Sequence, residues 1–484
     1  MDILLSHGYF IAEDEHEQKI MKPYPTLGLL YISSHLKAKG FQVEVYDSTF
    51  ATLAEFEAYV RRNRPGLVGL YCNLMTKQNV LTMIRLCKEV GARVVVGGPE
   101  PPNYTQEYLD FGADAVVVGE GEVTLAELIP ALAKHGPHRL HGVFGLVFRD
   151  EAGQLVKTAG RPQIADLSAQ PWPDREAIDL DRYLATWKTH HGVSSVSLIT
   201  ARAALHLYLV QPLGLWRNPP PPHPAGRGRR SRLDCRTLQS RPALVRRRCA
   251  DHPFPLVLQY ADELKQRGLK IPFECISRAD RLNDKIIDAL AEMRCERLWI
   301  GAESGSQRIL DRMQRKADIE DVQAKTKQLQ AKGISVGMFI MLGYEGEDIS
   351  DLEATVDHLK KSNPDIFLTT VAYPIKGTRY YQAVESEVVS HLDWAARTDR
   401  DFKVNGRYSR RFYDYATRWL VNEVNLHKLR VSGSKDVGRM ARMFINAQRG
   451  RWGMRLTQNE REGGGGQPGS GRGWSAQERA VEGW

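Results

Sequence analysis

Short apolar runs alternate with stretches of helical periodicity over the first 135 residues of the chain. The segments MDILLSH, FQVEVYD, LVGLYCN, ARVVVGGPE and ADAVVVGEGE are predicted strands. Between these runs, Thr26–Lys39, Leu53–Asn63 and Val80–Val90 carry apolar residues at helical spacing. Because the strands alternate with helices, the pattern predicts right-handed crossovers and a parallel sheet.

Parallel sheets of this kind bind ligands at the carboxyl ends of their strands. The loops expected there are His7–Phe10, Asp47–Thr49, Cys72–Met75, Gly97–Glu100 and Gly119–Glu122. Glycine lets a backbone approach a bulky ligand closely. The candidate cofactor-binding residues of this region are therefore Gly97, Gly98, Pro99, Gly119, Glu120 and Gly121. The alternative is that GGPE and GEGE are tight turns that only join a strand to a helix.

The same rhythm resumes after Val193. Predicted strands are SVSLITA, PFECISR, RLWIGAES, SVGMFIML and IFLTTVAYP, with helices at Leu282–Met293, Ile319–Lys332 and Leu352–Lys361. A repeated strand–helix unit of this size indicates an α/β architecture with a full or partial TIM-type barrel.

Candidate ligand-binding residues in this second region are Glu303, Ser304 and Gly343, because chemistry in such barrels occurs at the carboxyl ends of the strands. A buried glutamate needs a polar partner, so a ribose or an amino-acid head group would suit Glu303 and Ser304. The alternative is that these two residues belong to a structural hydrogen-bond network.

Composition narrows the class of protein. With 484 residues and 26% charged residues the chain is typical of a globular protein. No apolar run approaches the roughly 18 residues of a membrane span, and the N-terminus does not resemble a signal peptide. Six cysteines in so long a chain do not make a disulfide framework, which favours a cytoplasmic location.

The net charge of +9 is concentrated in one segment. Residues Ala203–Leu258 hold ten Arg, two Asp and no Lys or Glu, and therefore contribute +8. A basic excess can indicate nucleic-acid binding, but this segment lacks regularly spaced aromatic residues for base stacking. We therefore expect no nucleic-acid partner and rank a basic nucleic-acid binder last among the functions.

Several stretches, taken in order, resemble the cobalamin-binding radical S-adenosylmethionine (SAM) proteins. They are PTLGLLYISSHLKAKGFQVEVYD, VVVGGPEPP, VVGEGE, RLWIGAESGSQRILDRM, GMFIMLGYEGED and AYPIKGTRYY. The group includes anaerobic magnesium-protoporphyrin ester cyclases and cobalamin-dependent methyltransferases, and the resemblance covers residues 1 to about 450. It implies a Rossmann-like cobalamin-binding domain followed by a partial TIM barrel.

The resemblance also implies an activity, cofactors and partners. The cofactors would be cobalamin, SAM and a [4Fe–4S] cluster held by a C-x3-C-x2-C loop after the first barrel strand. A reductant such as ferredoxin or flavodoxin would supply electrons, and the reaction would be methyl transfer or cyclisation at an unactivated centre of a small molecule. The alternative function is a cobalamin- or SAM-binding protein without redox chemistry.

The sequence departs from the family pattern at the cluster loop. After Arg202 it reads AALHLYLVQPLGLWRN, and no three of its six cysteines have C-x3-C-x2-C spacing. These cysteines are Cys72, Cys87, Cys235, Cys249, Cys275 and Cys295. We therefore assign no metal ligands and no catalytic residues, and leave open whether the chain is an enzyme.

The cobalamin-binding region departs from a common pattern as well. No D-x-H-x-x-G motif, whose histidine would ligate cobalt, is present. His7 and His16 lie near expected strand ends, but a lone histidine is more often a structural residue. Cobalamin would then bind without an axial histidine, or the domain would bind no cobalamin or another tetrapyrrole-like ligand.

A frameshift would explain the Arg-rich segment Ala203–Leu258. With permitted codons, a one-base shift converts LHLYLVQPLGLWRN at Leu205–Asn218 into YTCTWCSHSVYGE, which contains the second half of a cluster loop. Family-like sequence resumes at Gln259–Lys265. We interpret residues 203–258 as out-of-frame translation that is disordered and forms no barrel strand. The alternative is a genuine Pro- and Arg-rich linker.

The expected domain organisation has five parts. Residues 1–140 form the cobalamin-binding domain, 141–192 a linker, 193–390 the barrel, 391–460 a helical C-terminal region and 461–484 a disordered tail.

Overall fold

The computed structural model describes residues 1–164, 170–201, 205–211, 254–315 and 317–463. These residues divide into two compact units. The first is built mainly from Met1–Ala204 and also contains the short segment Asp393–Thr398. The second is built from described residues of Pro253–Leu392 and Asp399–Trp484.

A seven-stranded sheet forms the centre of the first unit, with the strand order β2-β1-β3-β4-β5-β6-β7. Its strands are β1 (Ile3–His7), β2 (Val43–Tyr46), β3 (Leu67–Tyr71), β4 (Arg93–Gly97), β5 (Ala115–Val117), β6 (Leu146–Arg149) and β7 (Leu155–Lys157). The first five strands are mutually parallel, as predicted, so their carboxyl ends share one edge of the sheet. Both faces are apolar and buried, as a sheet covered by helices requires.

Helices connect the strands of the first unit close to the predicted positions. They are α1 (Glu15–Ile20), α2 (Leu27–Ala38), α3 (Leu53–Asn63), α4 (Lys77–Glu89), α5 (Thr105–Asp110), α6 (Gly121–His135) and α7 (Leu180–His191). The start of α3 shows the local cause, because Thr52 and Glu55 form a reciprocal capping box there.

The expected linker over residues 141–192 is wrong as a description of this region. β6 and β7 form an antiparallel hairpin that extends the first sheet beyond β5, and α7 follows them. The turn sequence DEAG explains the hairpin, because Gly153 adopts a left-handed φ of +76° and its N–H donates to the carbonyl of Asp150.

A second, six-stranded sheet has the order β13-β12-β11-β10-β9-β8. Its strands are β8 (Ser194–Ala201), β9 (Leu205–Gln211), β10 (Phe273–Ser277), β11 (Cys295–Glu303), β12 (Ser335–Leu342) and β13 (Ile366–Val371). The strands β10 to β13 pair in parallel with their sequence neighbours, as a repeated strand–helix unit predicts. The associated helices are α8 (Phe254–Gln266), α9 (Asp284–Glu292), α10 (Gln307–Arg312), α11 (Ile319–Ala331), α12 (Ile349–Ser362) and α13 (Arg379–Val384).

The expectation that residues 203–258 contain no barrel strand is wrong over Leu205–Gln211. That segment is β9, the neighbour of β10 in the sheet. Its sequence LHLYLVQ is rich in aliphatic and aromatic residues that favour strands, whatever the origin of the segment. Residues 212–253 lie outside the described residues, so the predicted disorder there remains a prediction. The helix predicted at Gln259–Lys265 is confirmed within α8.

The predicted helical C-terminal region is confirmed. After a two-stranded antiparallel ribbon, β14 (Val388–Val389) with β15 (Lys403–Val404), the chain forms α14 (Arg410–Val431) and α15 (Val437–Thr457). Of the expected tail, residues 464–484 lie outside the described part. Among the helices that are described, none is long and apolar enough to cross a membrane.

Candidate functional site

The strand order of the first sheet fixes where a ligand can enter. The direction in which strands are added to the sheet reverses at β1, because β2 lies on one side of β1 and β3 on the other. The helices that follow β1 and β3 pack on opposite faces of the sheet. The loop after β1 begins with His7 and Gly8, and the loop after β3 leads into α4. Met75 in this second loop is 54% exposed, an unusual position for a large apolar side chain. The topological switch point is therefore the candidate ligand-binding crevice.

Gly98 shows that the next loop requires glycine. It follows β4 with a φ of +111°, and a Cβ at this residue would lie 2.3 Å from the carbonyl oxygen of Cys72. The loop after β4 therefore presses its backbone directly onto the loop after β3. Gly97 ends β4 and Pro99 continues the same turn, so all three predicted residues lie at the expected edge.

The third predicted glycine loop differs from the second in being open. Gly119 has a φ of +92°, and no described heavy atom lies within 4 Å of the position a Cβ would take. Glu120 precedes α6 and its carboxylate accepts from the amide of Ile164 at 2.6 Å. Gly121 packs closely against Ile32, where a Cβ would lie 2.8 Å from Cδ1. Of these three residues, Gly119 leaves the most room for a ligand.

A buried polar cluster holds together the loops after β3 and β4. The Cys72 sulfur lies 3.1 Å from the Tyr108 hydroxyl, which also donates to the carboxylate of Glu100. Burial, followed by the nearby charge of Glu100, raises the pKa of the Cys72 thiol. Cys72 is therefore a protonated, structural thiol and not a metal ligand.

Both ring nitrogens of His7 have hydrogen-bond partners within the first unit. Its Nδ1 accepts from the amide of Tyr9 at 3.2 Å, so the neutral ring carries its proton on Nε2, which donates to Asp47 at 3.1 Å. The Tyr183 hydroxyl donates to the same carboxylate. Burial alone would raise the pKa of Asp47, but the hydrogen bonds that Asp47 accepts from His7 and Thr49 lower it. His7 is a structural residue, and His16 lies within α1 rather than at a strand end.

Polar and aromatic side chains line one face of the second sheet. In β11, Leu298, Ile300 and Ala302 are buried, whereas the alternate residues Arg297, Trp299, Gly301 and Glu303 are partly exposed. Glu274 of β10 accepts from Arg297 at 3.1 Å and from the Trp299 indole at 3.0 Å. Sequence reasoning includes Glu274 in the strand-end range Glu274–Arg278 but misses Trp299, although the alternation in RLWIGAE marks this face.

Glu303 and Ser304 are neighbours with different environments. Glu303 ends β11 with a strained φ of +61°, and its carboxylate accepts from Arg315 at 2.6 Å. Burial raises the pKa of Glu303, and Arg315 opposes that rise. Ser304 is fully buried, 3.3 Å from the Thr355 hydroxyl of α12. The structure therefore places Glu303 on the lined face and Ser304 in a packing network between loop and helix.

Gly343 opens the loop after β12. Its φ is +77° and a Cβ would lie 2.8 Å from the ring of Tyr413. Its amide donates to one carboxylate oxygen of Glu347, whereas the other oxygen, Oε1, is buried without a hydrogen-bond partner. Burial, together with the charges of Asp351 and Asp348, raises the pKa of Glu347 to about 8. Glu347 is therefore mostly a neutral acid near pH 7.

The described residues do not fit an iron–sulfur cluster. Cys72 and Cys87 are buried in the first unit, whereas Cys275 and Cys295 are buried in the second, with their sulfurs 3.9 Å apart. Burial raises the pKa of Cys87 to about 12. Across the described parts of the chain, no group of three metal-binding side chains is positioned around one ion. Cys235 and Cys249 lie outside these parts.

Two protein families match the chain, one in each unit. Residues 18–129 match the B12 binding domain family, and residues 246–359 match the radical SAM superfamily. The first match covers β2 to β5 with their loops. The second begins more than forty residues after Arg202, where the family resemblance places the cluster loop.

Two relatives are similar to this chain in sequence. An uncharacterized methyltransferase of Pyrococcus horikoshii is 27% identical over 398 residues, which are 78% of this chain and 82% of the relative. The anaerobic magnesium-protoporphyrin IX monomethyl ester cyclase of Synechocystis is 30% identical over 193 residues, 38% of this chain and 37% of the cyclase.

Solved structures show the same fold. The radical SAM methyltransferase TsrM of Kitasatospora setae, with cobalamin and a [4Fe–4S] cluster bound, superposes with a TM-score of 0.55 at 16% identity, covering 81% of each chain. The cobalamin-dependent radical SAM enzyme OxsB with aqua-cobalamin superposes with a TM-score of 0.59 at 15% identity, covering 94% of this chain and 72% of OxsB. This chain therefore matches the B12 binding domain family and, further along, the radical SAM superfamily, and it has the fold of solved cobalamin-dependent radical SAM enzymes.

Proposed function

We propose that the first unit binds cobalamin at the carboxyl edge of its sheet and that the chain derives from a methyltransferase or cyclase lineage. The observation that carries the proposal is the edge itself, where Gly98 is pressed onto Cys72 and Gly119 stays open. Such a backbone surface suits a large, flat ligand, because glycines remove side chains that would hold it away.

The residues of this edge would hold and orient the cofactor rather than react with it. Gly97, Gly98 and Gly119 would provide the backbone surface, and the exposed Met75 an apolar contact. When bound, cobalamin supplies the organometallic chemistry of its cobalt. His7 would stay bonded to Asp47 and Tyr9, because both of its ring nitrogens already have partners. Cobalamin would therefore bind without an imidazole ligand from His7.

A titration of the full chain with hydroxocobalamin tests this proposal. Gly119→Leu should weaken binding by roughly tenfold or more, because the new side chain would fill the open space at the edge. Gly153→Leu is the matched control. Gly153 has a similar φ of +76° and open surroundings, but it lies in the β6–β7 turn at the opposite edge of the sheet. Equal binding by both variants would contradict the proposed location.

We further propose that this polypeptide, as its sequence stands, does not cleave SAM. Reductive cleavage needs an iron held by three cysteine thiolates with one site left open for SAM. The sequence has no C-x3-C-x2-C motif, and Cys235 and Cys249 have the wrong spacing to replace it. Glu303 and Gly343 could still contact SAM as a ligand. The chain would then act as a cobalamin- or SAM-binding protein without redox chemistry.

Anaerobic reconstitution with iron and sulfide separates the two functions. The chain should show no [4Fe–4S] absorbance and should form no 5′-deoxyadenosine with SAM and dithionite. A repaired chain, in which G-C-P-Y-T-C-T-W-C follows Arg202, should recover both. Formation of 5′-deoxyadenosine by the unrepaired chain would contradict the frameshift interpretation, whereas the cobalamin titration would remain unaffected.

A further inference from the structure

Helix α15 (Val437–Thr457) packs against the protein mainly with small residues, together with Met454, and exposes five of its large apolar residues. Its buried positions include Ala447, Gly450 and Gly453. A Cβ on Gly450 would lie 2.5 Å from the backbone nitrogen of Trp419, and one on Gly453 would lie 2.3 Å from the ring of Tyr415. α14 and α15 therefore approach each other closely across a glycine-lined contact.

The opposite face carries the large apolar side chains. Val437 is 70% exposed, Trp452 62% and Leu456 80%, and Phe444 and Ile445 are about half exposed. These residues are spaced 7, 8, 15 and 19 positions after Val437. At 3.6 residues per turn they fall within an arc of about 120°, which makes one stripe along a helix about 30 Å long. We call these five residues the α15 stripe.

A helix on the surface of a protein usually turns its apolar stripe inward and its polar residues outward. α15 does the reverse, because its exposed stripe is larger and more apolar than its buried face. A contiguous exposed patch of this kind marks an interaction surface.

The charge of α15 indicates what covers the stripe. The helix has five arginines and no acidic residue. Arg442 and Arg449 each lie three positions before a stripe residue, Ile445 and Trp452, so they border the stripe. Arg451 pairs at 3.6 Å with Glu353, and the Arg455 guanidinium lies 6.0 Å from the Trp452 ring centre. The surface is therefore mainly apolar, with arginines along its borders and Arg455 within the arc of the stripe.

We propose that α15 lies in the surface of an anionic lipid membrane. Interfacial helices combine this mixture of aromatic and aliphatic residues with arginines, and they bury the apolar face in the boundary between headgroups and acyl chains. The arginines would pair with lipid phosphates, and Trp452 would sit at headgroup depth. An amphipathic helix of this composition would lie in the plane of the membrane.

The same features argue against a second copy of this chain as the occupant. Two α15 helices face to face would bring ten arginines together without one carboxylate from either helix, and like charges repel. An acidic protein partner would satisfy the charge, but it would need an apolar surface about 30 Å long flanked by carboxylates. The surface of an anionic membrane provides both the negative charge and the apolar layer, wherever the helix binds.

Vesicle flotation with the full chain tests the proposal. The chain should float with vesicles of phosphatidylcholine and phosphatidylglycerol and should not float with phosphatidylcholine alone. The double variant Arg442→Gln/Arg449→Gln should bind more weakly by about fivefold per arginine, with less dependence on salt. The double variant Trp452→Gln/Leu456→Gln should bind roughly tenfold more weakly or worse.

Matched controls use exposed residues elsewhere in the chain. Leu155→Gln/Leu392→Gln removes two exposed leucines, and Arg62→Gln removes an exposed arginine. Both control variants should float like the unmodified chain. If the stripe variants and the controls float equally well, or if the unmodified chain floats with neither kind of vesicle, the proposal is overturned.

Two further measurements keep the test decisive. Brominated lipids should quench the tryptophan emission of the unmodified chain more strongly than that of Trp452→Phe, a substitution that preserves the apolar stripe. Quenching that is equal in the two proteins overturns the assignment of Trp452 to the bilayer. A stripe-dependent dimer without lipid, or retention on polyglutamate or RNA that needs the arginines but not the stripe, would also overturn it in favour of another occupant.

Discussion

A partly buried carboxyl group, Asp47, and a buried one, Glu347, lie at strand ends in the two units, and their pKa values shift in opposite directions. Asp47 follows β2 and receives hydrogen bonds from His7, Tyr183 and the amide of Thr49. Glu347 follows β12 and receives one from the amide of Gly343, while Asp348 and Asp351 raise its pKa further. Burial acts on both groups, but the number of donors decides whether the charged form survives.

The difference shows how the two strand-end edges are built. At the first edge, Gly98 packs against Cys72, Gly119 stays open, and the carboxylate of Asp47 accepts several hydrogen bonds. The second edge contains an acid with one buried oxygen that lacks a partner, close to the buried ion pair of Arg407 with Glu462. Polar groups at the second edge are therefore held at a larger electrostatic cost, and substitutions there should have the larger and more pH-dependent effects.

The largest effect is expected at Arg407. Its guanidinium donates to Glu462 and to the carbonyl of Ala372, and both charged side chains are at most 10% exposed. Arg407→Met should lower the free energy of unfolding by about 3–5 kcal/mol, because it leaves Glu462 as a buried, unpaired charge. Urea unfolding of the full chain measures this change.

The control is Arg411→Met. Arg411 pairs with Glu460 at 2.9 Å, but its side chain is 67% exposed. Solvent-exposed pairs contribute about 1 kcal/mol or less. If both variants lose the same free energy of unfolding, burial does not make the Arg407 pair more important for stability than the exposed Arg411 pair.

The second prediction concerns the backbone contact at the first edge. Gly98→Ala should destabilise the first unit by about 3 kcal/mol, because a Cβ would lie 2.3 Å from the Cys72 oxygen at a positive φ. Gly119→Ala shares the positive φ but meets open space, so it should cost only about 1 kcal/mol. Urea unfolding followed by a probe in the first unit should separate the two variants.

The third prediction tests the raised pKa of Glu347. An unfolded glutamate ionises near pH 4.5, whereas the folded Glu347 ionises near pH 8. The chain should therefore lose stability as pH rises from about 4.5 to about 8, and the loss should level off above that. Glu347→Gln should be more stable than the unmodified chain by about 2 kcal/mol at pH 7, with a smaller difference near pH 4.5. A difference that does not depend on pH would contradict the raised pKa.

The smallest effect is expected at Asp47. Its folded pKa lies below the ordinary value of 3.8, so its contribution to stability is present above pH 3.8 and is lost as pH falls through the folded pKa. Asp47→Asn should cost about 1.5 kcal/mol near pH 6 and progressively less in acid. Unfolding at several pH values provides the test, with the exposed Asp110→Asn as the control. A cost that grows in acid would reverse the proposed contrast with Glu347.

Much of the fold follows from local pattern. The helix predicted at Leu53–Asn63 has those bounds in the structure, and the one predicted at Ile319–Lys332 ends one residue earlier. Apolar periodicity and capping residues determine such elements, and both are visible along the chain. The prediction missed β6, β7 and β9, because short strands carry little periodic signal and depend on pairing with strands already present.

The placement of the candidate site follows partly from sequence. That the loops after β3, β4 and β5 share an edge follows from parallel topology, and the structure confirms it. Three contacts do not follow from the sequence. Gly98 packs against Cys72, Ser304 lies beside Thr355, and His7 donates a hydrogen bond to Asp47. These contacts join residues 26 to 51 positions apart.

What the sequence alone determined was the alternation of strands and helices apart from β6, β7 and β9, the resemblance to two domain families and the absence of a cluster-binding cysteine motif. These properties depend on residue type and spacing, which can be read directly from the sequence. Only the tertiary structure decided which face of α15 is buried, because Gly450 and Gly453 compete with Trp452 and Leu456 for the contact with α14. The apolar periodicity of α15 would favour burial of its large residues. The close approach of the α14 and α15 backbones leaves room only for the small ones at the contact.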